Sequence, residues 1–180
     1  MVVSNSDTAL LSRIAKGDHE AIKVMVNLKL PRLLALATRM LNNRSEAEEI
    51  AQETFIRIWK QAPIWRYEEA TFDTWIHRVA LNLCYDKLRA HREKVEMDMP
   101  ELEDEGNSPH ERLEASQNKQ GVAAALGALP LRQKEALVLQ YYQGFSNKET
   151  ADLMGISVDA LESLLSRARR NMRSLLLEKN

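Results

Sequence analysis

Residues 146–170, SNKETADLMGISVDALESLLSRARR, decide how this chain is read, because they spell a helix-turn-helix that ends in a basic cluster. Ser146, followed three residues later by Glu149, is a capping box that starts a short helix carrying Ala151, Leu153 and Met154. Gly155 suits the left-handed backbone of a tight turn, and the small Ala151 lets a second helix pack close. Ser157 is placed to cap that second helix, whose apolar stripe is Leu161, Leu165, Ala168 and Met172. Arg167, Arg169, Arg170 and Arg173 gather toward its end. An ordinary helical hairpin would share the stripe. Cap, glycine, second cap and terminal arginines together favour a DNA reader.

Upstream of this motif, LRQKEALVLQYYQ (131–143) predicts a helix with Pro130 at its start and Gly144 after its end, and helical periodicity holds from about residue 118. Before that the character changes. Glu96, Asp98, Glu101, Glu103, Asp104 and Glu105 arrive with no Lys or Arg among them, beside Pro100, Gly106 and Pro109. Such a composition cannot build a core and reads as a flexible acidic connector. Residues 7 to about 94 again read as helices, with one interruption near Pro63. No alternating pattern suggests a sheet. The expected fold is all-α: two small helical domains, 1–95 and 118–180, joined by an acidic linker at 96–117.

Composition agrees with a globular chain, since 44% of residues are hydrophobic and 28% charged. No apolar run approaches a membrane span, and the polar N-terminal stretch does not resemble a signal peptide. Cys84 is the single cysteine, so no internal disulfide can form and a cytoplasmic location is expected. Net charge runs against a free-standing DNA binder: the formal value is −1, whereas phosphate neutralisation usually demands a positive excess. The basic patches must therefore be offset by acid elsewhere.

Two helices of the first domain carry candidate surfaces. Ser45 and Glu48 form a second capping box, predicting a helix from Glu46 to Gln61. Ala47, Ile50, Ala51, Thr54, Phe55, Ile58 and Ala62 share its buried face, while Glu49, Gln52, Glu53, Ile56 and Lys60 lie opposite. A solvated charged face is the ordinary reading, but Ile56 among carboxylates also suits a partner surface. The second helix, Phe72 to Lys94, has Phe72, Ile76, Val79 and Leu83 as its expected core stripe. On another face lie Trp75, Arg78, Asn82, Tyr85, Arg89 and Arg92. Guanidinium groups neutralise phosphate, flat rings stack on unpaired bases and an amide reads a base edge, so this stripe points to nucleic acid, preferably single-stranded.

AEEIAQETFIRIWKQAP (47–63) and FDTWIHRVALNLCYDKLRAHR (72–92) resemble region 2 of bacterial sigma factors of the extracytoplasmic-function (ECF) group. DHEAIKVMVNLKLPRLLALATRML (18–41) fits the first part of the same region, and residues 128–173 resemble region 4. The resemblance implies that Glu49, Gln52, Glu53, Ile56 and Lys60 meet the β′ clamp helices of core RNA polymerase. It implies that the Trp75 to Arg92 stripe opens and reads the minus-ten element, with Asn82 engaging a flipped base. Region 4 would meet the β flap and read the minus-thirty-five element as duplex, through Ser157, Asp159, Ala160, Glu162, Ser163, Arg167 and Arg170. The acidic linker would run toward the RNA exit path. Affinity supplied by the polymerase would account for the neutral charge. A cognate anti-sigma factor, in some cases membrane-bound, is a further implied partner, and the free protein is expected as a monomer or a heterodimer with that inhibitor.

One departure is visible. The family's second helix commonly reads V-K-S-R-L where this chain has Leu161, Glu162, Ser163, Leu164 and Leu165, so two usual cations are a carboxylate and a leucine. Both are expected toward the outward side. Two other classes stay open. His19, His77, His91 and His110 are scattered without metal spacing, expected as surface or capping groups, and no nucleophile motif or phosphate loop supports an enzyme; neither a metal nor a cofactor is expected. A helix-turn-helix repressor or activator acting without polymerase is the alternative, and it would normally dimerise on a two-fold operator.

Overall fold

The computed structural model describes residues 2–66, 71–97 and 115–178. Among them every regular element is a helix, and no strand occurs. The predicted acidic connector falls largely on residues 98–114, outside the described residues.

The N-terminal unit contains α1 (Val2–Ala15), α2 (His19–Leu41), α3 (Arg44–Gln61), a 3-10 turn at Ala62–Ile64 and α4 (Phe72–Met97). Asp18 starts α2 by accepting from the amides of Glu20 (3.0 Å) and Ala21 (3.2 Å). Between α2 and α3 the chain turns at Asn42, a non-glycine residue at φ 54. The expected Ser45 cap is displaced: α3 begins at Arg44, and Asn43 accepts from the Glu46 amide at 3.1 Å. Asn caps as well as Ser does, and its extended backbone places its amide oxygen over the helix end two residues earlier. Glu48, freed from capping, accepts instead from Arg44 Nε at 3.0 Å.

All seven residues assigned to the inner face of α3 and the following turn are buried. They pack against Met25, Leu33, Leu36 and Met40 of α2, all within 1% of full burial. Burying each such side chain contributes roughly 1.5–3 kcal/mol. The α4 stripe needs correction. Phe72 and Ile76 are buried, but Val79 and Leu83 are only half-buried, and the line of burial continues through His77, Ala80, Leu81 and Cys84. The expected stripe presupposes a single amphipathic face, whereas α4 is covered from two sides, by the N-terminal core and by the C-terminal unit. His77, expected at the surface, is 1% exposed for the same reason. Burial pushes its pKa below the ordinary value. Burial also lifts the Cys84 thiol to about 12, which makes it inert packing.

A charged knot ties three helices. Buried Lys29 of α2 donates to Asp7 of α1 at 2.8 Å and to Asp73 of α4 at 2.7 Å. Arg32 Nη1 adds an ion pair to Asp73 at 3.3 Å.

The C-terminal unit comprises α5 (Ala115–Ala128), α6 (Leu131–Leu137) continuing as a π-helical turn at Val138–Tyr142, α7 (Asn147–Met154) and α8 (Val158–Leu177). Both halves of the Ser146–Glu149 box form, at 3.2 and 2.8 Å. Gly155 takes φ 65, and its amide meets the carbonyls of Ala151 and Asp152. Ser157 Oγ accepts from the Ala160 amide at 3.1 Å and begins α8. Leu161, Leu165 and Ala168 are buried, with Met172 half-buried behind them. From α6, Arg132 Nη2 donates to the Met154 carbonyl at 2.8 Å, fixing the turn to the rest of the unit.

Candidate functional site

Three surfaces carry the candidate residues, and each is set by the helix that presents it. On α3, Glu49, Gln52 and Lys60 are exposed, Ile56 is 44% exposed and Glu53 is half-buried. Their directions diverge. Glu49 accepts from Lys87 Nζ of α4 at 2.6 Å, and Glu53 from Arg57 Nε at 3.1 Å. Gln52 and Ile56 instead rim an open groove of about 730 Å³, floored by Phe55 and Trp59 and walled by Ile22, Val26, Leu30 and Leu34 of α2. Sequence reasoning missed the α2 wall. Its signal was present, as apolar residues four apart beside the buried Ala21, Met25, Leu33 series.

Along α4, Arg78, Asn82, Arg89 and Arg92 are exposed, with Arg89 3.7 Å from the Asp86 carboxylate. Trp75 is half-buried, stacked on Phe72 (5.9 Å, 24°) and edge-on to Trp65 (5.4 Å). One flat ring thus stands on an aromatic base, and the exposed Asn82 amide follows about two turns along the same stripe. Tyr85 differs from its neighbours on the stripe. It is half-buried and its hydroxyl donates to the Glu135 carboxylate of the C-terminal unit. Burial, and then that carboxylate, push the phenol up to about 12.

At the start of α8, Ser157, Asp159, Ala160, Glu162 and Ser163 are all exposed. Arg167 is exposed, with its Nε donating to the Ser163 carbonyl at 3.3 Å, and Arg170 is exposed on the next turn. The N-terminal turns of a second helix are the part that enters a major groove. Leu164 departs from expectation: it is half-buried and packs against the core, because it flanks the Leu161–Leu165 stripe. Of the two unusual residues, Glu162 is the exposed one. Among the described residues, no group of three or more His, Cys, Asp or Glu could hold a metal ion, and no helix is long and apolar enough to cross a membrane.

Comparison with known proteins matches residues 25–94 to the model of Sigma-70 region 2 and residues 119–172 to that of Sigma-70, region 4. The chain is 30% identical over 171 residues to the ECF RNA polymerase sigma factor SigM of Mycobacterium tuberculosis, covering 95% of this chain and 85% of SigM. The chain belongs to the ECF RNA polymerase sigma factors. To the ECF sigma factor SigE of Mycolicibacterium smegmatis it is 31% identical over 90% of its own length, but it spans only 65% of SigE. Among solved structures, the sigma factor RpoE of Bartonella quintana, crystallised with the anti-sigma factor NepR, is 26% identical with a TM-score of 0.73, covering 86% of this chain and 96% of that one.

Among the exposed α8 candidates of this ECF family member, Glu162 is the one to test. Glu162→Lys in the full chain is expected to raise non-specific affinity for duplex DNA and steepen its salt dependence by about one counterion per new phosphate contact. Filter binding across a salt series measures this. Equal slopes for parent and variant would remove this face of α8 from the DNA interface.

Proposed function

We propose that this protein is an alternative sigma factor, which binds core RNA polymerase and directs promoter recognition, strand opening and transcription initiation in the cytoplasm. The observation that carries this reading is the pairing, on one chain, of an exposed amide and a stacked tryptophan on one stripe of α4 with a capped, outward-facing second helix at α8. One surface suits unpaired bases and the other suits duplex, which is the division of labour at a promoter.

In this reading Gln52 and Ile56, at the lip of the α2–α3 groove, meet the β′ clamp helices, with Glu49, Glu53 and Lys60 on the flank. Arg78, Asn82, Arg89 and Arg92 track the minus-ten strand, while Trp75 and Tyr85 supply stacking surface. The β flap takes the apolar groove of the C-terminal unit formed by Leu126, Leu137, Tyr141, Tyr142, Met172 and Leu176. Ser157 to Arg170 reads the minus-thirty-five duplex. Residues 1–95, 96–117 and 118–180 act as region 2, linker and region 4. An anti-sigma factor is proposed by analogy with the RpoE–NepR complex.

The clamp assignment is tested by Glu53→Lys combined with Gln52→Ala. Gln52 is exposed, and the half-buried Glu53 pairs with the exposed Arg57; substitutions at such surface positions normally change stability by about 0.5 kcal/mol or less, so helicity and melting temperature should hold. Competition against a second sigma factor for core polymerase should show a loss of roughly tenfold or more, the scale of an interface hot spot. A variant that competes as well as the parent would reduce this face to solvated surface.

A further inference from the structure

Glu162 occupies a position on α8 that the fold does not account for. It is exposed, and among the described residues it has no hydrogen bond or ion pair. Its helical neighbours three and four residues away are Leu165 and Ser166 on one side, Asp159 and Val158 on the other. Neither turn offers it a cation, and like charges at the Asp159–Glu162 spacing disfavour a helix. Asp159 has an ordinary reason to be there, since it lies in the first turn, where a carboxylate meets the positive end of the helix dipole. Glu162 lies a turn further in, where that attraction has faded. A side chain that local structure disfavours and packing leaves outside points to work at a surface.

Charge is also ordered along α8. Residues 158–166 carry Asp159 and Glu162 but no Lys or Arg, whereas Arg167, Arg169, Arg170 and Arg173 follow. Arg169 shares the flank of Glu162, about 10 Å further back along the axis, and its Nη1 donates to the Tyr141 hydroxyl at 3.1 Å. That span is close to the depth of a B-DNA major groove, about 8.5 Å. With the first turns of α8 in the groove, the arginines come level with the phosphates at its rim and Glu162 reaches the base edges. There a carboxylate needs a donor. The base edges of the major groove supply only two, cytosine N4 and adenine N6. Adenine sets its N7 acceptor beside N6, so the second carboxylate oxygen would face a lone pair, whereas the cytosine edge carries no acceptor of its own.

We propose that Glu162 is a specificity-determining residue, which accepts a hydrogen bond from cytosine N4 at one position of the minus-thirty-five duplex. The assignment rests on the proposed reading of that element by α8.

The test uses holoenzyme assembled from core RNA polymerase and the full chain, as parent, Glu162→Gln and Glu162→Ala. Start sites mapped on genomic fragments give the minus-thirty-five element, and each of its positions is then filled in turn with the four base pairs in one promoter. The parent should initiate roughly tenfold better with cytosine on one strand at one position than with any other base there. Glutamine presents both a donor and an acceptor to adenine N7 and N6, so Glu162→Gln should move that preference to adenine. Glu162→Ala should level it, and in both variants the preferences at the other positions should hold. The same base preference in all three holoenzymes would overturn the proposal and leave Glu162 to a protein partner. If no start site depends on the protein, the proposed function fails, and selection of random duplexes by the full chain decides the proposal separately. Cytosine enriched by the parent and lost in Glu162→Ala would then uphold it; enrichment that does not depend on Glu162, or none, would overturn it.

Discussion

Asn82→Ala should cut open-complex formation by about ten- to a hundredfold while leaving binding to core polymerase unchanged. Asn82 is exposed on α4 between Arg78 and Arg89, on the same stripe as Trp75. Its amide can meet a base edge only after the base leaves the stack, so its contribution belongs to the melted state rather than to the duplex. Removing such a hydrogen-bonding partner takes away about 1–3 kcal/mol of discrimination. Permanganate reactivity of unpaired thymines reads the open complex directly. Trp75→Ala should act in the same direction, but its stack on Phe72 means that it also disturbs the base of α4, so Asn82 is the cleaner probe. Unchanged reactivity in Asn82→Ala would take the α4 stripe out of strand opening.

The largest effect on stability is expected from Lys29→Ala. The lysine is 5% exposed and lies between Asp7 and Asp73, so its removal leaves Asp7 without its ion-pair partner and Asp73 with Arg32 alone. Breaking a buried pair by deleting one partner costs about 3–5 kcal/mol, which for a chain of this size lowers the melting temperature by on the order of 10 °C. The pH dependence adds a signature. In the parent, burial lifts the Asp7 pKa past the pull of Lys29, whereas at Asp73 burial is outweighed by the Lys29 hydrogen bond and charge, which hold it below the usual range. The two carboxyls therefore contribute with opposite sign. Without Lys29 both move upward, Asp73 against the remaining pull of Arg32, and a lifted carboxyl stabilises below its unfolded value and loses that contribution as pH rises through its folded value. The variant should thus recover stability relative to the parent as pH falls from about 7 toward about 4. Urea melts at several pH values check this, and a constant gap between the two proteins would show that Lys29 is not what keeps the carboxylates charged.

The helix-turn-helix is readable in the sequence almost residue by residue, because caps and glycine turns act within four residues and owe little to distant partners. The inner face of α3 is equally clear, since one core covers it. Where a helix is covered twice, periodicity misleads: Val79 and Leu83 are marginal while His77 and Cys84 are central. The same cause hides Tyr85, whose stripe position is correct but whose hydroxyl is claimed by Glu135, fifty residues away. Lys29 inside the apolar run of α2 is visible as an anomaly, yet its partners at 7 and 73 lie on other helices. Leu164 shows a finer limit. A residue at the edge of a stripe is decided by the neighbour it meets, and no single helix records that.

In vitro transcription tests the central claim most directly. Core RNA polymerase is incubated with genomic fragments, with and without the protein, and transcript 5′ ends are mapped. The account predicts start sites that appear only when the protein is added, each preceded by a shared minus-ten and minus-thirty-five pair. Binding of the protein to duplex DNA with no new start site, in the presence of active core polymerase, would contradict it.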